Sequence, residues 1–193
     1  MIKAIIFDCF GVLTTDGWLA YRGSHFANDP AKLQQANELI KKVDRGELSY
    51  DIFTQMIASM ANDTATHVHA VISSHVRNEQ LLEQIKATFY GHYKLGILSN
   101  APANVLNKLF TEAQIAWFDA VVLSYEIGAI KPDPRAYQAI LQKLDVLAEE
   151  AIFIDDRQEY VDGATAIGIH ALQYKSVDQT RKDIEEILDG SEN

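Results

Sequence analysis

The sequence predicts an α/β fold, a doubly wound parallel sheet that carries a small α-helical insert after its first strand. Short, continuous apolar runs of strand length alternate with amphipathic helical segments, and one interval between two runs is far too long for a single helix. Continuous apolar runs are typical of parallel strands covered on both faces. Strands that alternate with helices indicate a doubly wound sheet.

Four apolar runs are expected to form the sheet, at residues 4–7, 95–98, 120–123 and 151–154, and a shorter run at 170–172 is expected to add an edge strand. Helices are predicted to follow the strands over residues 104–112, 134–144, 160–167 and 177–188. Each of these helical segments has apolar residues at the spacing of one helix face, which would cover the sheet.

The interval between the first two strands holds roughly eighty-five residues, where a crossover needs only one helix. It shows helix start signals and no strand pattern. These signals are Asp29 with Pro30, Ser49, Asp63 or Thr64, and Asn78. The helix that begins at Asn78 can lead back into the second strand. We therefore predict an α/β core of residues 1–13 and 81–193, and a helical insert of residues 14–80.

Composition limits the possible partners. The 193 residues include 17 Lys and Arg against 27 Asp and Glu, so the formal net charge is −10. This charge argues against nucleic acid or acidic lipid as a partner, because the long-range field repels both. No apolar run approaches the ~20 residues that cross a bilayer, and the single cysteine fits a reducing compartment. We expect a cytoplasmic protein without a membrane span; the sequence does not indicate its oligomeric state.

Polar side chains come directly after the predicted strands. They are Asp8 after the first run, Ser99 and Asn100 after the second, Lys131 after the third and its loop, and Asp155 and Asp156 after the fourth. Ligands bind beyond the carboxyl ends of the strands in such sheets. Singly, each residue has an ordinary explanation, a turn or a helix cap for the acids, Ser99 and Asn100, and a surface position for Lys131. Together, three carboxylates would crowd at one edge, where Lys131 alone cannot neutralise them, and a divalent cation such as Mg²⁺ can.

Four motifs in this order resemble the haloacid dehalogenase-like (HAD) hydrolase superfamily. They are Ile-Ile-Phe-Asp-Cys-Phe-Gly-Val-Leu at 5–13, Leu-Ser-Asn at 98–100, Lys-Pro at 131–132, and Phe-Ile-Asp-Asp at 153–156 followed by Gly163 and Ala164. The resemblance implies a HAD-like Rossmannoid core, with the insert as a helical cap domain. Residues 128–137 and 152–168 look most like the sugar-phosphate phosphatases of the group.

The resemblance also implies a Mg²⁺-dependent phosphatase that hydrolyses a small phosphorylated metabolite, such as a sugar phosphate. Asp8 would be the nucleophile that forms an aspartyl-phosphate. Mg²⁺ would be held by Asp8, the backbone carbonyl of Phe10 and Asp155, with Asp156 as a further ligand or beside the ligands.

The remaining site residues implied by the resemblance contact the substrate. Lys131 would pair with Asp8 and with the transferring phosphoryl oxygens, and the Ser99 hydroxyl would donate to the same oxygens. Ser99, Asn100 and Gly11 are the implied substrate-binding residues, and Gly11 would let the loop turn sharply there.

Phe10 departs from the phosphatase pattern, and this departure leaves alternatives open. Phosphatases of the superfamily usually carry an Asp there as general acid and base, and phenylalanine can be neither. Water or a cap residue would protonate the leaving group, or the substrate has a good leaving group. Otherwise the protein is a metal-free 2-haloacid dehalogenase, which carries an aromatic residue there, or a non-catalytic HAD-like binding protein. The Asp155–Asp156 pair favours a phosphatase, and Tyr160 departs from both enzyme patterns.

Several other residues, most of them in or near these motifs in the sequence, also carry predictions. Cys9 should point into the core, because side chains alternate at a strand end. The junction of cap and core is expected near Trp18, Tyr21, Arg22 and His25, and specificity residues should be sought there. Arg45 is a weak candidate for an anion contact from the cap, and Arg157 can screen the neighbouring acidic pair.

Overall fold

The computed structural model describes residues 1–103 and 105–190. Its centre is a parallel sheet of five strands: β1 (Ala4–Phe7), β2 (Lys94–Ser99), β3 (Ala120–Leu123), β4 (Ala151–Asp155) and β5 (His170–Gln173). The order across the sheet is β3-β2-β1-β4-β5, and all four pairings are parallel. The predicted α/β fold class is therefore confirmed. Because β1 lies at the centre, the residues after it are flanked by the ends of β2 and β4.

Four helices follow β1 before the chain returns to the sheet. They are α1 (Gly17–Phe26), α2 (Pro30–Asp44), α3 (Tyr50–Ala61) and α4 (Ala65–Ile72). Each begins at an N-cap side chain that accepts a backbone N–H, namely Asp16, Asp29, Ser49 and Thr64. Their apolar faces form a separate core around Tyr21, Phe26, Phe53 and Ile57. The four helices of the insert therefore share a core that is separate from the two cores beside the sheet.

The remaining helices cover the sheet. They are α5 (Glu79–Gln84), continued by a π-helical turn (Ile85–Phe89), α6 (Leu106–Leu109), α7 (Glu112–Ile115), α8 (Ser124–Ile127), α9 (Pro134–Leu144), a 3₁₀ turn (Ala148–Glu150), α10 (Gln158–Thr165) and α11 (Val177–Gly190). Ile5 and Phe7 of β1 pack with α5 and α11 on one face. Ala4 and Ile6 pack with α9 and α10 on the other. This alternation explains why β1 is apolar at every position.

The structure corrects three details of the predicted elements. Helix α1 was not predicted. The helix predicted over 104–112 is two short helices, because Thr111 forms a capping box with Gln114 and starts α7; residue 104 lies outside the described residues. The spacing of Met56 and Met60, four residues apart in the helix that starts at Ser49, predicts that both are core residues, but Met56 is 39 % exposed on α3.

The chain enters and leaves the insert at adjacent points. The Thr15 N–H donates to the carbonyl of Val76, and the Asn78 N–H donates to the carbonyl of Leu13, both at 2.9 Å. Helix α5 packs into the sheet's own core. The predicted division of the chain at residues 13/14 and 80/81 stays a prediction. Within the described ranges, no helix has the length and apolarity that a bilayer span requires.

Candidate active site

A fully buried lysine joins two carboxylates at the carboxyl end of the sheet. The Lys131 ammonium lies 2.8 Å from Asp8 Oδ1 and 2.6 Å from Asp155 Oδ2, and it also donates to the carbonyl of Leu98 at 3.0 Å. Asp8 follows β1 and Asp155 ends β4, so the parallel pairing of these strands places their carboxylates side by side. The segment between α8 and α9 supplies the lysine. The structure thus brings together three residues from distant parts of the sequence.

The charges of this group perturb one another. Burial alone would lower the pKa of Lys131, but the carboxylates of Asp155 and Asp8 raise it above its usual range. Burial raises the pKa of Asp8 well above its usual range; Lys131 lowers it in part, and the charge of Asp155 raises it again. One ammonium group therefore does not compensate the acidic residues that surround it.

Asp156 adds a third carboxylate. Asp8, Asp155 and Asp156 each offer an oxygen atom, and these atoms lie within 4.8 Å of one another. Asp156 Oδ1 is buried and has no hydrogen-bond partner among the described residues. Burial and then the charge of Asp155 raise the pKa of Asp156 to about 6. A buried carboxylate oxygen without a donor, beside two other carboxylates, fits a hard divalent cation such as Mg²⁺, which prefers oxygen ligands.

Gly11 lies against this third carboxylate. Its φ is +95°, a backbone conformation that favours glycine, and a Cβ there would lie 2.5 Å from Asp156 Cγ. Gly11 contacts the acidic group and is not part of the wall of the large cavity described below. Its predicted role in substrate binding stays a prediction. The contact explains why the motif needs glycine at this position.

Replacing Gly11 by alanine is expected to displace the Asp156 carboxylate and to strain the loop. We expect the affinity for Mg²⁺ to fall by ~10-fold or more and the free energy of unfolding to fall by ~1–3 kcal/mol. Isothermal titration with MgCl₂ and a urea melt measure the two effects. Gly23→Ala is the matched control, because a Cβ at Gly23 meets no atom within 4 Å. Unchanged Mg²⁺ binding in Gly11→Ala would contradict a role of Asp156 at the metal.

Ser99 ends β2 and Asn100 follows it, and the two residues differ in their contacts. Ser99 is buried, and its Oγ has no hydrogen-bond partner within the described ranges. Asn100 accepts a hydrogen bond from the Lys131 N–H at 2.8 Å and donates to the Lys131 carbonyl at 3.2 Å. Asn100 therefore holds the backbone of the lysine loop, and it also lines the cavity.

Aromatic side chains cover the lysine. The Lys131 ammonium lies 5.2 Å from the ring centroids of both Phe153 and Tyr160, a distance at which a cation is attracted to the ring face. The Tyr160 hydroxyl receives hydrogen bonds from Arg157, at 2.6 Å, and from Asn100, at 3.3 Å. Arg157 also donates its backbone N–H to Asp155 Oδ1 at 2.9 Å. Tyr160, which the sequence showed only as a departure, thus closes the site around Lys131.

A cavity of about 590 Å³ lies between the insert and the sheet, and Asp8, Phe10 and Asn100 form part of its wall. The insert contributes aromatic, aliphatic and charged side chains, among them Trp18, Arg22, Ile40, Asp44, Tyr50, His69 and His75. Of the four residues expected at the junction of cap and core, Trp18 and Arg22 line this cavity, and their role in specificity stays a prediction. Tyr21 is buried in the insert and stacks on His25 at 4.0 Å, away from the cavity wall.

The contacts of Cys9 and Arg45 can be compared with the predictions made for them. Cys9 is buried in the core, as predicted, and burial together with the charge of Asp8 raises the pKa of its thiol. Arg45 pairs with Glu47 at 2.7 Å and does not line the cavity. The sequence did not indicate Asp44, Tyr50 or His69 as site residues, because the packing of the insert on the sheet decides which insert residues reach the cavity.

The fold and the site define an α/β protein with an acidic cluster at the carboxyl end of a parallel sheet, below a helical insert. Residues 5–173 match the haloacid dehalogenase-like hydrolase family. The chain belongs to that family.

The chain is also similar to individual proteins of known name or structure. Phosphatase MT3486 of Mycobacterium tuberculosis is 28 % identical over 198 residues, which cover 93 % of this chain and 90 % of that protein. A HAD family enzyme from Bacteroides thetaiotaomicron, solved with magnesium and inorganic phosphate, has a TM-score of 0.65 and 22 % identity over 91 % of this chain and 95 % of its own. A 2-haloacid dehalogenase from Pseudomonas syringae has a TM-score of 0.63 and 15 % identity, over 96 % and 99 % of the two chains. The shared fold therefore does not by itself separate the two enzyme classes.

Proposed function

We propose that this protein is a Mg²⁺-dependent phosphatase that hydrolyses a phosphomonoester through a covalent intermediate on Asp8. The observation that carries the proposal is the excess of negative charge at the site. Among the described residues, Lys131 supplies the only ammonium or guanidinium group within 4.0 Å of the carboxylates of Asp8, Asp155 and Asp156. A dication would compensate this excess, and a phosphate group would then find a positive site.

Asp8 is suited to nucleophilic attack. Its Oδ1 accepts from Lys131 and from the Cys9 N–H, at 2.8 and 2.7 Å, which fixes the carboxylate. Its Oδ2 has no hydrogen bond within the described ranges, and Asp8 lines the cavity. A carboxylate with one oxygen fixed and the other free can attack phosphorus in line with the leaving group. The resulting aspartyl-phosphate would then be hydrolysed by water.

Other residues would bind and stabilise the reacting groups. Asp8, Asp155 and Asp156 would hold the metal, together with the carbonyl of Phe10. Bound Mg²⁺ would neutralise charge at the phosphoryl oxygens. The ammonium of Lys131 and the unpartnered hydroxyl of Ser99 would donate to the same oxygens, where charge increases in the transition state.

The cavity indicates which leaving groups fit. Trp18, Ile40 and Tyr50 present apolar surface, whereas Arg22 and Asn37 present polar groups that hydrogen-bond to each other at 2.6 Å. This lining favours a phosphate ester whose leaving group has an aromatic or aliphatic part. A sugar phosphate, which the motifs suggested, stays a prediction to be compared directly with such esters.

Phe10 favours a second candidate, a 2-haloacid dehalogenase. Its ring lies in the cavity wall and packs on His75 at 4.8 Å between ring centroids. A dehalogenase would attack carbon with Asp8 and release halide without a metal. The buried and unpartnered oxygen of Asp156 opposes this candidate, because a metal-free site would leave it uncompensated.

Metal removal should distinguish the two candidates. We expect phosphate release from a panel of phosphomonoesters with Mg²⁺, and a loss of ~10²-fold or more when a chelator removes the metal, because Mg²⁺ stabilises the transferring group. We also expect no halide release from a 2-haloacid under either condition. Phosphate and halide assays of the same preparation measure both reactions.

Binding of Mg²⁺ gives a second readout that does not depend on turnover. Mg²⁺ should raise the melting temperature of the wild type and have a smaller effect on Asp156→Asn. Glu38→Gln, an exposed change on α2, serves as the control. Halide release in the presence of chelator would establish the dehalogenase. Silence across the ester panel, together with tight binding of a ligand, would favour a non-catalytic binding protein.

A further inference from the structure

Asp44 of the insert is a buried carboxyl group at the cavity. It is the last residue of α2, is only 9 % exposed, and lines the same cavity as Asp8. Within the described ranges, no cation or hydrogen-bond donor contacts its carboxyl oxygens. Buried carboxyl groups are normally paired or hydrogen-bonded. An acid held in a cavity wall without a protein partner points to a partner that arrives with the ligand.

The core fixes Asp44 beside the site. The Ser124 hydroxyl donates to the Asp44 carbonyl at 2.5 Å and accepts from the Ala101 N–H at 3.0 Å. Ser124 is itself buried, and Ala101 comes two residues after Ser99. The carboxyl end of α2 is therefore tied to the loop that follows β2. This connection places Asp44 at a defined point of the cavity wall.

Charged and titratable groups of both the insert and the sheet domain act on the Asp44 carboxyl group. They are Asp16, Arg157, Arg45, Lys131 and Tyr50. Burial and then the charge of Asp16 raise the pKa of Asp44 to about 7, although Arg157, Arg45 and Lys131 oppose the shift. Two of these cations pair with other acids, Arg45 with Glu47 and Arg157 with Glu159. The carboxyl-terminal end of α2, where Asp44 lies, also disfavours a further negative charge. The carboxyl group is thus able to hold a proton near neutral pH.

We propose that Asp44 gives a proton to the leaving-group oxygen and later takes one from water, the role that Phe10 cannot fill. This inference rests on the proposed function. While Asp8 attacks phosphorus, the bond from phosphorus to the ester oxygen breaks, and that oxygen takes the proton of Asp44 and leaves as an alcohol. Water then attacks the aspartyl-phosphate and gives its proton to the Asp44 carboxylate. The bond to Asp8 breaks, and phosphate leaves.

Two other cavity residues are rivals for this role. Asp16 is the N-cap of α1, and its Oδ1 accepts a hydrogen bond from the Leu19 N–H at 3.0 Å. His75 packs on Phe10, and its Nδ1 lies 3.0 Å from the Thr15 carbonyl. Only the other ring nitrogen of His75 is left for a substrate. Both residues are included in the test because they line the cavity.

The test compares esters that differ in how much their leaving group needs a proton. We expect Asp44→Asn to lower kcat/KM for an alkyl phosphate by ~10²–10³-fold. We expect a change below about threefold for 2,4-dinitrophenyl phosphate, whose leaving group departs as an anion. For the alkyl phosphate, kcat/KM of the wild type should fall as the pH rises through about 7, because the acid form is required. Asp44→Asn should lack this decrease.

Controls separate this role from a structural one. Glu38→Gln, on the exposed side of the same helix, should change neither ester. Asp16→Asn and His75→Gln should change both esters by the same factor. Activity of Asp44→Asn on the dinitrophenyl ester shows that the variant is folded, and Asp44→Ser repeats the comparison if the first variant melts early. Phe10→Asp, added to Asp44→Asn, should restore part of the alkyl phosphate activity.

Two results would overturn the inference: equal effects of Asp44→Asn on both esters, or a selective loss of alkyl phosphate hydrolysis in Asp16→Asn or His75→Gln instead. A wild type that is inactive towards both esters would contradict the proposed function itself. That outcome is recognised before any variant is compared.

Discussion

Replacing Asp8 by asparagine is expected to abolish turnover, with kcat lower by ~10⁴-fold or more. The amide has the shape of the carboxyl group but is not a nucleophile. The fold should persist, because Lys131 keeps its pair with Asp155 at 2.6 Å and one of three crowded carboxylates is removed. We expect the free energy of unfolding to change by less than ~2 kcal/mol. Steady-state kinetics and urea melts measure the two effects.

A trapped intermediate makes this prediction specific to the nucleophile. Wild-type protein quenched in acid during turnover should show a mass increase of one phosphoryl group on the peptide that contains Asp8, and Asp8→Asn should not. Asp145→Asn is the matched control: Asp145 is exposed in the left-handed region at φ 51°, where asparagine is well tolerated. If Asp8→Asn retained most of the phosphatase activity, the assignment of the nucleophile would be wrong.

The residues at the ends of the strands could be predicted because parallel pairing leaves little freedom. Once 4–7 and 151–154 are taken as neighbouring parallel strands, Asp8 and Asp155 must come to the same edge. The structure gives the register Phe7 opposite Ile154, which brings them there. The helix starts at Ser49 and Thr64 could also be predicted from the sequence, because an N-cap depends on only a few neighbouring residues.

What the sequence did not reveal depends on contacts between distant segments. Helix α1 contains Gly17 and Gly23, which have low helix propensity, so its pattern was weak. Gly17 is needed because α1 packs closely on α4: a Cβ there would lie 2.4 Å from the Ile72 carbonyl oxygen. The split of the helix predicted over 104–112 has a local signal, Thr111 three residues before Gln114.

Asp44 is the clearest example of a cavity residue that sequence patterns do not predict. In the sequence it is one acid near the end of an amphipathic helix, where a solvated position is the ordinary expectation. Its burial follows from the way α2 meets the core at Ser124, a residue eighty positions away. The position of Tyr160 also depends on tertiary packing, because its contact with Lys131 requires α10 to pack beside the segment between α8 and α9. Sequence patterns therefore located the acidic group at the ends of the strands, and tertiary packing decided which residues of the insert line the cavity.

Replacing Lys131 by methionine is expected to give the largest loss of stability. Methionine has a similar length, but it would leave the carboxylates of Asp8 and Asp155 buried without their ammonium partner, at 7 % and 0 % side-chain exposure. Removing one partner of a buried ion pair costs ~3–5 kcal/mol. We therefore expect the free energy of unfolding in chelator to fall by about that amount, and phosphatase activity to be lost. Urea melts with and without Mg²⁺ measure the effect.

Mg²⁺ and a second substitution test whether the charge is the cause. Mg²⁺ should restore more stability to Lys131→Met than it adds to the wild type, because the dication replaces part of the lost charge. Asp8→Asn in the Lys131→Met background should recover ~1–3 kcal/mol, since one uncompensated carboxylate is removed. Lys182→Met, an exposed change on α11, should be nearly neutral. If Lys131→Met were as stable as the wild type in chelator, charge crowding would not govern this site, and the argument for a bound dication would lose its basis.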